Sequence, residues 1–152
     1  EFYFHNDAAI AKTAMTTIQV TPEQVLTMMA ELQEQSEVFH ATGGLHNAAI
    51  SDGAQFYIHR QDIGRHNALD KLYGYCIERH IIVRDKTLIF SGRISSEILI
   101  KAAKIGVGMI ISKSAPTTLA VQLAEDLNIT AIGFVRDGHF NIYSHPERVQ
   151  NL

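Results

Sequence analysis

The groups of this chain that could do chemistry are concentrated in the ten residues from Asp62 to Lys71. This run places two carboxylates, two basic side chains and a histidine around one glycine. Because burying unpaired charges costs several kcal/mol per ion, such charges must be paired or used. A second polar cluster, residues 42–47, lies just upstream. Together the clusters predict a site that contains Thr42, Gly43, Gly44, His46, Asp62, Gly64, Arg65, His66 and Asn67.

Further cations and hydroxyls follow three predicted strands, at residues 91–93, 112–117 and 134–139. In open α/β sheets, ligands bind beyond the carboxyl ends of the strands, where helix N-termini add partial positive charge. Each segment alone also has a structural interpretation, as a turn, a helix cap or a core position. Their convergence favours an anionic ligand with several phosphates, bound by Ser91, Gly92, Arg93, Ser112, Ser114, Phe134, Val135, Arg136, Asp137, Gly138 and His139.

A metal site and a reactive thiol are the other chemistries to consider. His46 and His66 with an aspartate could bind zinc, but their spacing matches no common zinc pattern, and we predict no metal. Cys76 is the only cysteine, which excludes an internal disulfide and a thiolate-rich zinc site. It lies on the predicted buried face of a helix, where a thiol is usually structural. The sequence contains no nucleophile elbow and no Walker or dinucleotide fingerprint.

The elements that must position these groups alternate between strand and helix. Apolar periodicity and capping signals predict helices at 21–35, 45–50, 62–77, 95–105 and 116–127, with strands at 16–20, 54–59, 87–90, 107–111, 131–135 and 140–143. Asp137-Gly138 is a two-residue hairpin signal between the last two strands. Continuously apolar strands imply a sheet with helices on both faces. We therefore predict a three-layer α-β-α sandwich with a mixed sheet.

Length and composition narrow the class of protein further. The 152 residues suit one α/β domain, in which residues 1–20 form an N-terminal segment of uncertain packing and residues 21–152 the binding body. The net charge of −3 is unlike that of a general nucleic-acid binder. Apolar stretches far shorter than the roughly 20 residues of a membrane span, and no secretory signal, predict a cytoplasmic protein. Because the first residue is glutamate, we expect a processed, trimmed or fragmentary chain.

Five motifs follow one another along the chain, namely Thr42-Gly43-Gly44-Leu45-His46, Asp62–Lys71, Ser91-Gly92-Arg93, Ser114-Ala115-Pro116 and Gly133-Phe134-Val135-Arg136. In this order they resemble the FdhD family of formate dehydrogenase accessory proteins. The resemblance runs from about Thr42 to Arg148, and the ten-residue run is its most specific part.

The resemblance implies a sulfurtransferase that acts as a sulfur carrier. Members of the family receive persulfide sulfur from a cysteine desulfurase and pass it to the bis-molybdopterin guanine dinucleotide molybdenum cofactor, which formate dehydrogenase then receives. The implied fold is similar to that of cytidine deaminases, and the implied assembly is a homodimer. The implied guanine dinucleotide pocket includes residues 134–139, where Phe134 can stack on guanine and Arg136 can bind a phosphate. GDP would then mimic part of the cofactor.

One departure from the family is important. The family carries sulfur on a Cys-x-x-Cys loop, and this chain has no such pair. We therefore expect the catalytic loop to be absent from this stretch, which should bind the cofactor without transferring sulfur. Two alternatives stay open. One is a zinc-dependent, deaminase-like hydrolase, although its Pro-Cys-x-x-Cys and glutamate are missing. The other is a non-catalytic nucleotide-binding or interaction module, in which Arg65, Asp62 and Asp70 pair with one another.

Overall fold

The computed structural model describes residues 15–38 and 45–151, which contain six strands, four α-helices and one 3₁₀ turn. The helices are α1 (Pro22–Val38), α2 (Arg65–Glu78), α3 (Ser96–Ile105) and α4 (Thr118–Asp126). The strands are β1 (His46–Ser51), β2 (Phe56–Asp62), β3 (Thr87–Phe90), β4 (Met109–Ser112), β5 (Thr130–Arg136) and β6 (His139–Ile142), and the 3₁₀ turn is Pro146–Arg148.

All six strands form one mixed sheet in the order β2-β1-β3-β4-β5-β6. The central strands β3, β4 and β5 are parallel, whereas β1 is antiparallel to β2 and β3, and β6 is antiparallel to β5. His46 pairs with Asp62, and Ala48 pairs with Phe90. The start of β1 and the end of β2 therefore lie at the same edge as the carboxyl ends of the parallel strands. We call this edge, with the loops that follow it, the carboxyl edge.

Helices cover both faces of the sheet. Helix α1 packs on the face that presents Ala49, Ile89, Met109, Ile111 and Ile132. Helices α2, α3 and α4 pack on the opposite face, which presents Ala48, Ile50, Leu88, Phe90, Ile110 and Ala131. Neighbouring residues of a strand thus serve opposite cores, as the twofold periodicity of a strand requires. The predicted α-β-α sandwich with a mixed sheet is confirmed.

Capping hydrogen bonds set the ends of three of the helices. The Ser95 hydroxyl accepts a hydrogen bond from the Ile98 amide at the start of α3, and Gly106 ends that helix in the left-handed conformation. The Thr117 hydroxyl caps α4 in the same way, through the Ala120 amide. Thr21 and Gln24 form a reciprocal capping box at α1. Because α2, α3 and α4 follow the carboxyl ends of β2, β3 and β4, these three helices start at the carboxyl edge.

The prediction of a short helix at residues 45–50 is wrong, because His46–Ser51 form strand β1. Ala48 and Ala49 favour a helix in isolation. In the sheet, β1 is paired on both sides, and residues 47–51 are buried on both faces. Small side chains fit between the two helical layers there, so tertiary pairing overrides local propensity.

Two further expectations need correction. Ile77, predicted to face inward, is 57% exposed, because the buried face of α2 consists of Ala68, Leu69, Leu72 and Cys76. In place of the strand at 16–20, there is an isolated bridge between Val20 and Val149. Ile18 and Val20 are nevertheless buried in the α1-side core. Within the described residues, no helix combines the length and apolar character that crossing a membrane requires.

Candidate functional site

The carboxyl edge brings together most of the residues predicted from the sequence. The ends of β2, β3, β4 and β5 carry residues 62–67, 91–93, 112–114 and 134–136 to this edge, and β1 contributes His46. The hairpin turn and the start of β6 add Asp137, Gly138 and His139, all exposed. The predicted site residues Thr42, Gly43 and Gly44 lie outside the described residues.

Asp62 organises the turn between β2 and α2. One carboxylate oxygen accepts hydrogen bonds from the Gly64 amide at 2.9 Å and the Asn67 side chain at 3.4 Å. The other oxygen lies 2.8 Å from Lys71 Nζ. The hydrogen bond from Lys71, followed by that from the Gly64 amide, holds the pKa of Asp62 below its ordinary value. Asp62 therefore fixes the turn between β2 and α2.

The three-way pairing of Arg65, Asp62 and Asp70 does not form. Asp70 binds Lys101 of α3, with Nζ 2.8 and 3.0 Å from its two carboxylate oxygens. Arg65 is exposed and has no ion pair with a described residue. Both acids of the ten-residue run thus form ion pairs with lysines. Its arginine, at the start of α2, has no ion pair with a described residue.

His66 links the starts of α2 and α3. Its Nε2 lies 3.2 Å from Glu97 Oε2, whereas its Nδ1 is the one buried side-chain nitrogen or oxygen in the described residues that lacks a hydrogen-bond partner. Leaving a buried acceptor unpaired typically costs about 1–3 kcal/mol. Glu97 was not predicted as a site residue, and its only sequence signal is its place in the first turn of the helix after Ser-Gly-Arg.

Close packing fixes the loop after β3. The His46 ring stacks on Phe90 with centroids 6.2 Å apart, and a Cβ at Gly92 would lie 2.9 Å from Phe90 Cζ. The Ser112 hydroxyl donates to the Gly92 carbonyl and accepts from the Ser114 amide. Glycine at position 92 is therefore required by contact, and Ser112 ties two adjacent loops together.

Ser91 performs a similar structural task on β1. Its hydroxyl accepts a hydrogen bond from the Asn47 amide at 2.9 Å. The Asn47 side chain, 4% exposed, in turn lies 2.9 Å from His59 Nε2. Burial, and then the charge of Arg60, lower the pKa of His59. Ser91 and Ser112 thus support the carboxyl edge, with both hydroxyls used inside the protein.

A bulge in β5 exposes an aromatic ring at the carboxyl edge. The pairing with β6 shifts between Gly133 and Arg136, and Phe134 has a φ of +59°, which is unusual for a bulky residue. The Phe134 amide donates to the Ser114 carbonyl, and a Cβ at Gly133 would lie 2.8 Å from that oxygen. As a result, the Phe134 ring is 41% exposed. Such backbone strain is typical of functional sites.

Arg136 lies against that ring. Its guanidinium carbon is 4.4 Å from the centroid of Phe134, in cation–π geometry. The same arginine lines a cavity of about 170 Å³ between α1 and the β5–β6 turn. The cavity was not predicted, because it depends on how α1 packs; its walls are Leu26, Met29, Ala30, Gln33, Val135, Arg136, Asp137 and Gly138.

The carboxyl edge is locally cationic although the whole chain carries a net charge of −3. Arg65, Arg93, Lys113 and Arg136 are exposed, and none forms an ion pair with a described residue. Among the nearby acids, Asp62 pairs with Lys71 and Glu97 lies beside His66, which leaves Asp137 as one acid against four cations. Together with three helix N-termini, these free cations favour an anionic ligand.

The structure gives no support to a metal or thiol site in the part of the chain that it describes. No three histidine, cysteine, aspartate or glutamate side chains converge there to hold a metal ion. Cys76 lies on the buried face of α2 and is 6% exposed, and burial raises the pKa of its thiol. Cys76 is therefore a core residue.

The fold and the edge together define an α/β protein with a cationic site at the carboxyl ends of a mixed sheet. The model of the FdhD/NarQ family matches residues 1–150, and the chain belongs to this family. It is 74% identical over 149 residues to a protein named sulfur carrier protein FdhD from Staphylococcus aureus strain MRSA252, and 76% identical to that of strain Newman. These alignments cover 98% of this chain and 56% of each relative. The chain thus spans about half the length of the curated relatives it matches.

A solved structure has the same fold. It is described as a putative formate dehydrogenase accessory protein from Desulfotalea psychrophila, and it matches with a TM-score of 0.81 at 24% identity. The match covers 88% of this chain and 58% of the other. At this identity, the likeness establishes the arrangement of helices and strands alone.

Proposed function

We propose that this chain is the cofactor-binding part of a sulfur carrier that serves formate dehydrogenase. The cargo would be the bis-molybdopterin guanine dinucleotide molybdenum cofactor, bound through its guanine nucleotide portion at the carboxyl edge. Family membership and the names of the relatives support the sulfur carrier role. The charge of the edge supports an anionic cargo.

The free cations of the carboxyl edge are the observation that carries this proposal. Phosphates are held by charge-assisted hydrogen bonds from arginine and lysine and by backbone amides at helix N-termini. Arg65, Arg93, Lys113 and Arg136 supply the former, and α2, α3 and α4 supply the latter. The exposed Phe134 ring places an aromatic surface beside Arg136, as recognition of a nucleotide needs.

No residue of this chain is assigned the sulfur itself. Its single thiol is buried and holds its proton more tightly than a free cysteine, whereas sulfur exchange needs an accessible thiolate. Loading by a cysteine desulfurase, delivery to formate dehydrogenase, assembly as a homodimer and a cytoplasmic location complete the proposal. They rest on the family resemblance.

Thermal unfolding with nucleotides tests the binding role. GDP at 100 times its dissociation constant should stabilise the folded chain by about 2.7 kcal/mol. For a protein of this size, this corresponds to a rise in melting temperature of roughly 5–10 °C. ADP at the same ionic strength should give a smaller rise. If neither nucleotide raises the melting temperature, the proposed nucleotide site is wrong.

Arg136→Ala should weaken GDP binding by about 10–100-fold, because a charge-assisted hydrogen bond contributes roughly 1.5–3 kcal/mol. Arg79→Ala is the matched control. Arg79 is also an exposed arginine without an ion pair to a described residue, and it lies 5.4 Å from the ring centroid of Tyr75 at the end of α2. Titration calorimetry should show GDP affinity reduced in the first variant and unchanged in the second. Equal affinities would remove Arg136 from the site.

A further inference from the structure

The outer surface of α2 contains a glycine that packing within the described residues does not explain. Gly74 lies in the middle of this helix and is exposed. A Cβ at this position would meet no atom of the described residues within 4 Å beyond the backbone of its own helix. Glycine nevertheless weakens a helix relative to alanine. The chain therefore gives up helix stability at a position where there is room for a side chain.

Apolar surface adjoins Gly74 on the side of α2 that faces α3. A groove of about 310 Å³ lies there between the two helices, and the buried Leu69 and Ile105 contribute to it. Ile77 follows Tyr73 by four positions, so it lies on the same side of α2 as the groove, and it is exposed. The groove is lined by Leu69, Asp70, Tyr73, Lys101, Lys104 and Ile105.

The groove and Ile77 lie at equal distances on either side of Gly74. Residues 69–73 line the groove, so its centre lies about one helical turn before Gly74, and Ile77 lies about one turn after it. When two α2 helices pack antiparallel around a twofold axis at Gly74, positions before the axis in one copy lie opposite positions after it in the other. Ile77 of each copy then lies over the groove of the other.

The charges of α2 favour the same arrangement. Lys71 and Glu78 are two turns apart on one side of the helix, and Gly74 lies between them. Glu78 is exposed and forms no ion pair with a described residue, while Lys71 keeps about half of its side chain exposed beside Asp62. Antiparallel packing places Glu78 of each copy beside Lys71 of the other. Parallel packing would instead place like charges opposite each other.

The outer edge of the sheet is less suited to a second copy. Strand β2 is an edge strand, and such a strand can pair with another chain through its free backbone groups. The His59 carbonyl accepts a hydrogen bond from Arg60 Nη1 at 2.9 Å, and the Gln61 carbonyl accepts one from Lys71 Nζ at 3.1 Å. Long basic side chains thus cover carbonyls of β2 and oppose strand pairing.

We propose that two copies of this chain associate through the α2 face, which consists of Lys71, Tyr73, Gly74, Ile77 and Glu78 with the adjoining groove. This inference rests on the proposed function for the existence of a homodimer, and it adds the location and the orientation of the contact. Because α2 starts at the carboxyl edge, antiparallel packing places the two carboxyl edges at opposite ends of the pair. Each nucleotide site is then complete within one copy.

Gly74→Gln separates association from folding. Glutamine is a better helix former than glycine, and its side chain meets open space, so the urea midpoint of the monomer should rise at low protein concentration. The same side chain holds two α2 helices apart and should raise the dissociation constant of the dimer by about 10–100-fold. Sedimentation velocity over a series of protein concentrations measures this constant. A misfolded variant would show a lower urea midpoint.

Ile77→Lys tests the contact with the groove. It removes the apolar side chain and places a third lysine near Lys101 and Lys104 of the other copy, so the dissociation constant should rise by about 10–100-fold. Leu119→Lys, on α4, is the matched control, because both side chains are apolar and more than half exposed. The control should dissociate at the same concentration as the unmodified chain.

The outcomes distinguish this inference from the proposed nucleotide site. A dimer that both α2 variants weaken and Leu119→Lys leaves unchanged would support the α2 face. An unmodified chain that stays monomeric, or a dimer that neither α2 variant weakens, would overturn it. GDP affinity should be the same in Gly74→Gln as in the unmodified chain. A monomeric chain that binds GDP would therefore contradict this inference alone, whereas a dimer that binds no GDP would contradict the nucleotide site alone.

Discussion

Cations at the two ends of the sheet are used in opposite ways. At the amino ends of the parallel strands, Arg148 is 7% exposed, and its Nη1 donates to the Gly108 carbonyl at 3.0 Å, the Asn128 carbonyl at 2.8 Å and the Thr130 hydroxyl at 3.0 Å. At the carboxyl edge, Arg136 is exposed and contacts a single aromatic ring. The difference separates an arginine that holds the fold together from one that is available to a ligand.

Lys86 extends the same contrast. It precedes β3 at the amino end of the sheet, is 6% exposed, and lies 2.8 Å from an Asp85 oxygen and 4.4 Å from the ring centroid of Tyr57. At the carboxyl edge, Lys113 is exposed and unpaired among the described residues. A structural cation is therefore recognised by its burial and its hydrogen-bond or ion-pair partners, and not by whether it is an arginine or a lysine.

The largest expected effect is on stability and comes from Arg148→Met. The substitution removes a buried, charged donor from the Gly108 and Asn128 carbonyls and from the Thr130 hydroxyl, and a hydrogen bond to a charged group typically contributes about 1.5–3 kcal/mol. We expect a loss of about 3 kcal/mol or more in the free energy of unfolding, measured by urea denaturation. Arg136→Ala should change it by less than about 0.5 kcal/mol. Similar losses of unfolding free energy in both variants would mean that Arg148 and Arg136 do not differ in their contribution to stability.

Two glycine-to-alanine substitutions compare the backbone of the carboxyl edge with that of α2. A Cβ at Gly133 would lie 2.8 Å from the Ser114 carbonyl oxygen, so Gly133→Ala must displace the loop that positions Phe134. We expect a loss of about 1–3 kcal/mol. A Cβ at Gly74, within α2, would meet no atom within 4 Å beyond the backbone of its own helix, and Gly74→Ala should stabilise by about 0.5–1 kcal/mol.

Urea denaturation of the two glycine variants and the unmodified chain measures both effects. The signs should be opposite, although the chemical change is the same. A neutral Gly133→Ala variant would mean that the carboxyl edge relaxes freely around the bulge. Weakened GDP binding in that variant would link the bulge to the nucleotide site.

Much of the framework follows from local signals in the sequence. The caps at Ser95 and Gly106 and the turn at Asp137-Gly138 were predicted correctly, because each depends on the chemistry of a few neighbouring residues. The convergence of residues 62–67, 91–93, 112–114 and 134–136 at the carboxyl edge was also predicted, since strand ends in an α/β sheet share an edge. Strand β1 was not predicted, because its alanines carry no strand preference and it becomes a strand only through pairing on both sides.

The pairing of charges at the site could not be predicted, because it depends on how the helices pack. Asp70 binds Lys101 and His66 binds Glu97, and both contacts join α2 to α3 across about thirty positions of sequence. The cavity wall from α1 is likewise a product of the sandwich. Apolar periodicity indicates that α1 has a buried face. It does not indicate that this face meets the β5–β6 turn, which lies about a hundred residues later in the sequence.

The smallest expected effect concerns Asp62, the acid that organises the turn between β2 and α2. Because Lys71 and the Gly64 amide lower the pKa of Asp62 below 3.8, its ordinary value, Asp62 stabilises the fold above that pH. This contribution is lost as the pH falls through the lowered pKa. Lys71→Gln removes the main cause, so the pKa of Asp62 should rise and acid should destabilise the variant less steeply. Carboxyl-carbon NMR titration measures the pKa, and Lys113→Gln, which removes an unpaired lysine from the same edge, should leave it unchanged. An unshifted pKa in Lys71→Gln would mean that the turn amide alone holds Asp62 ionised.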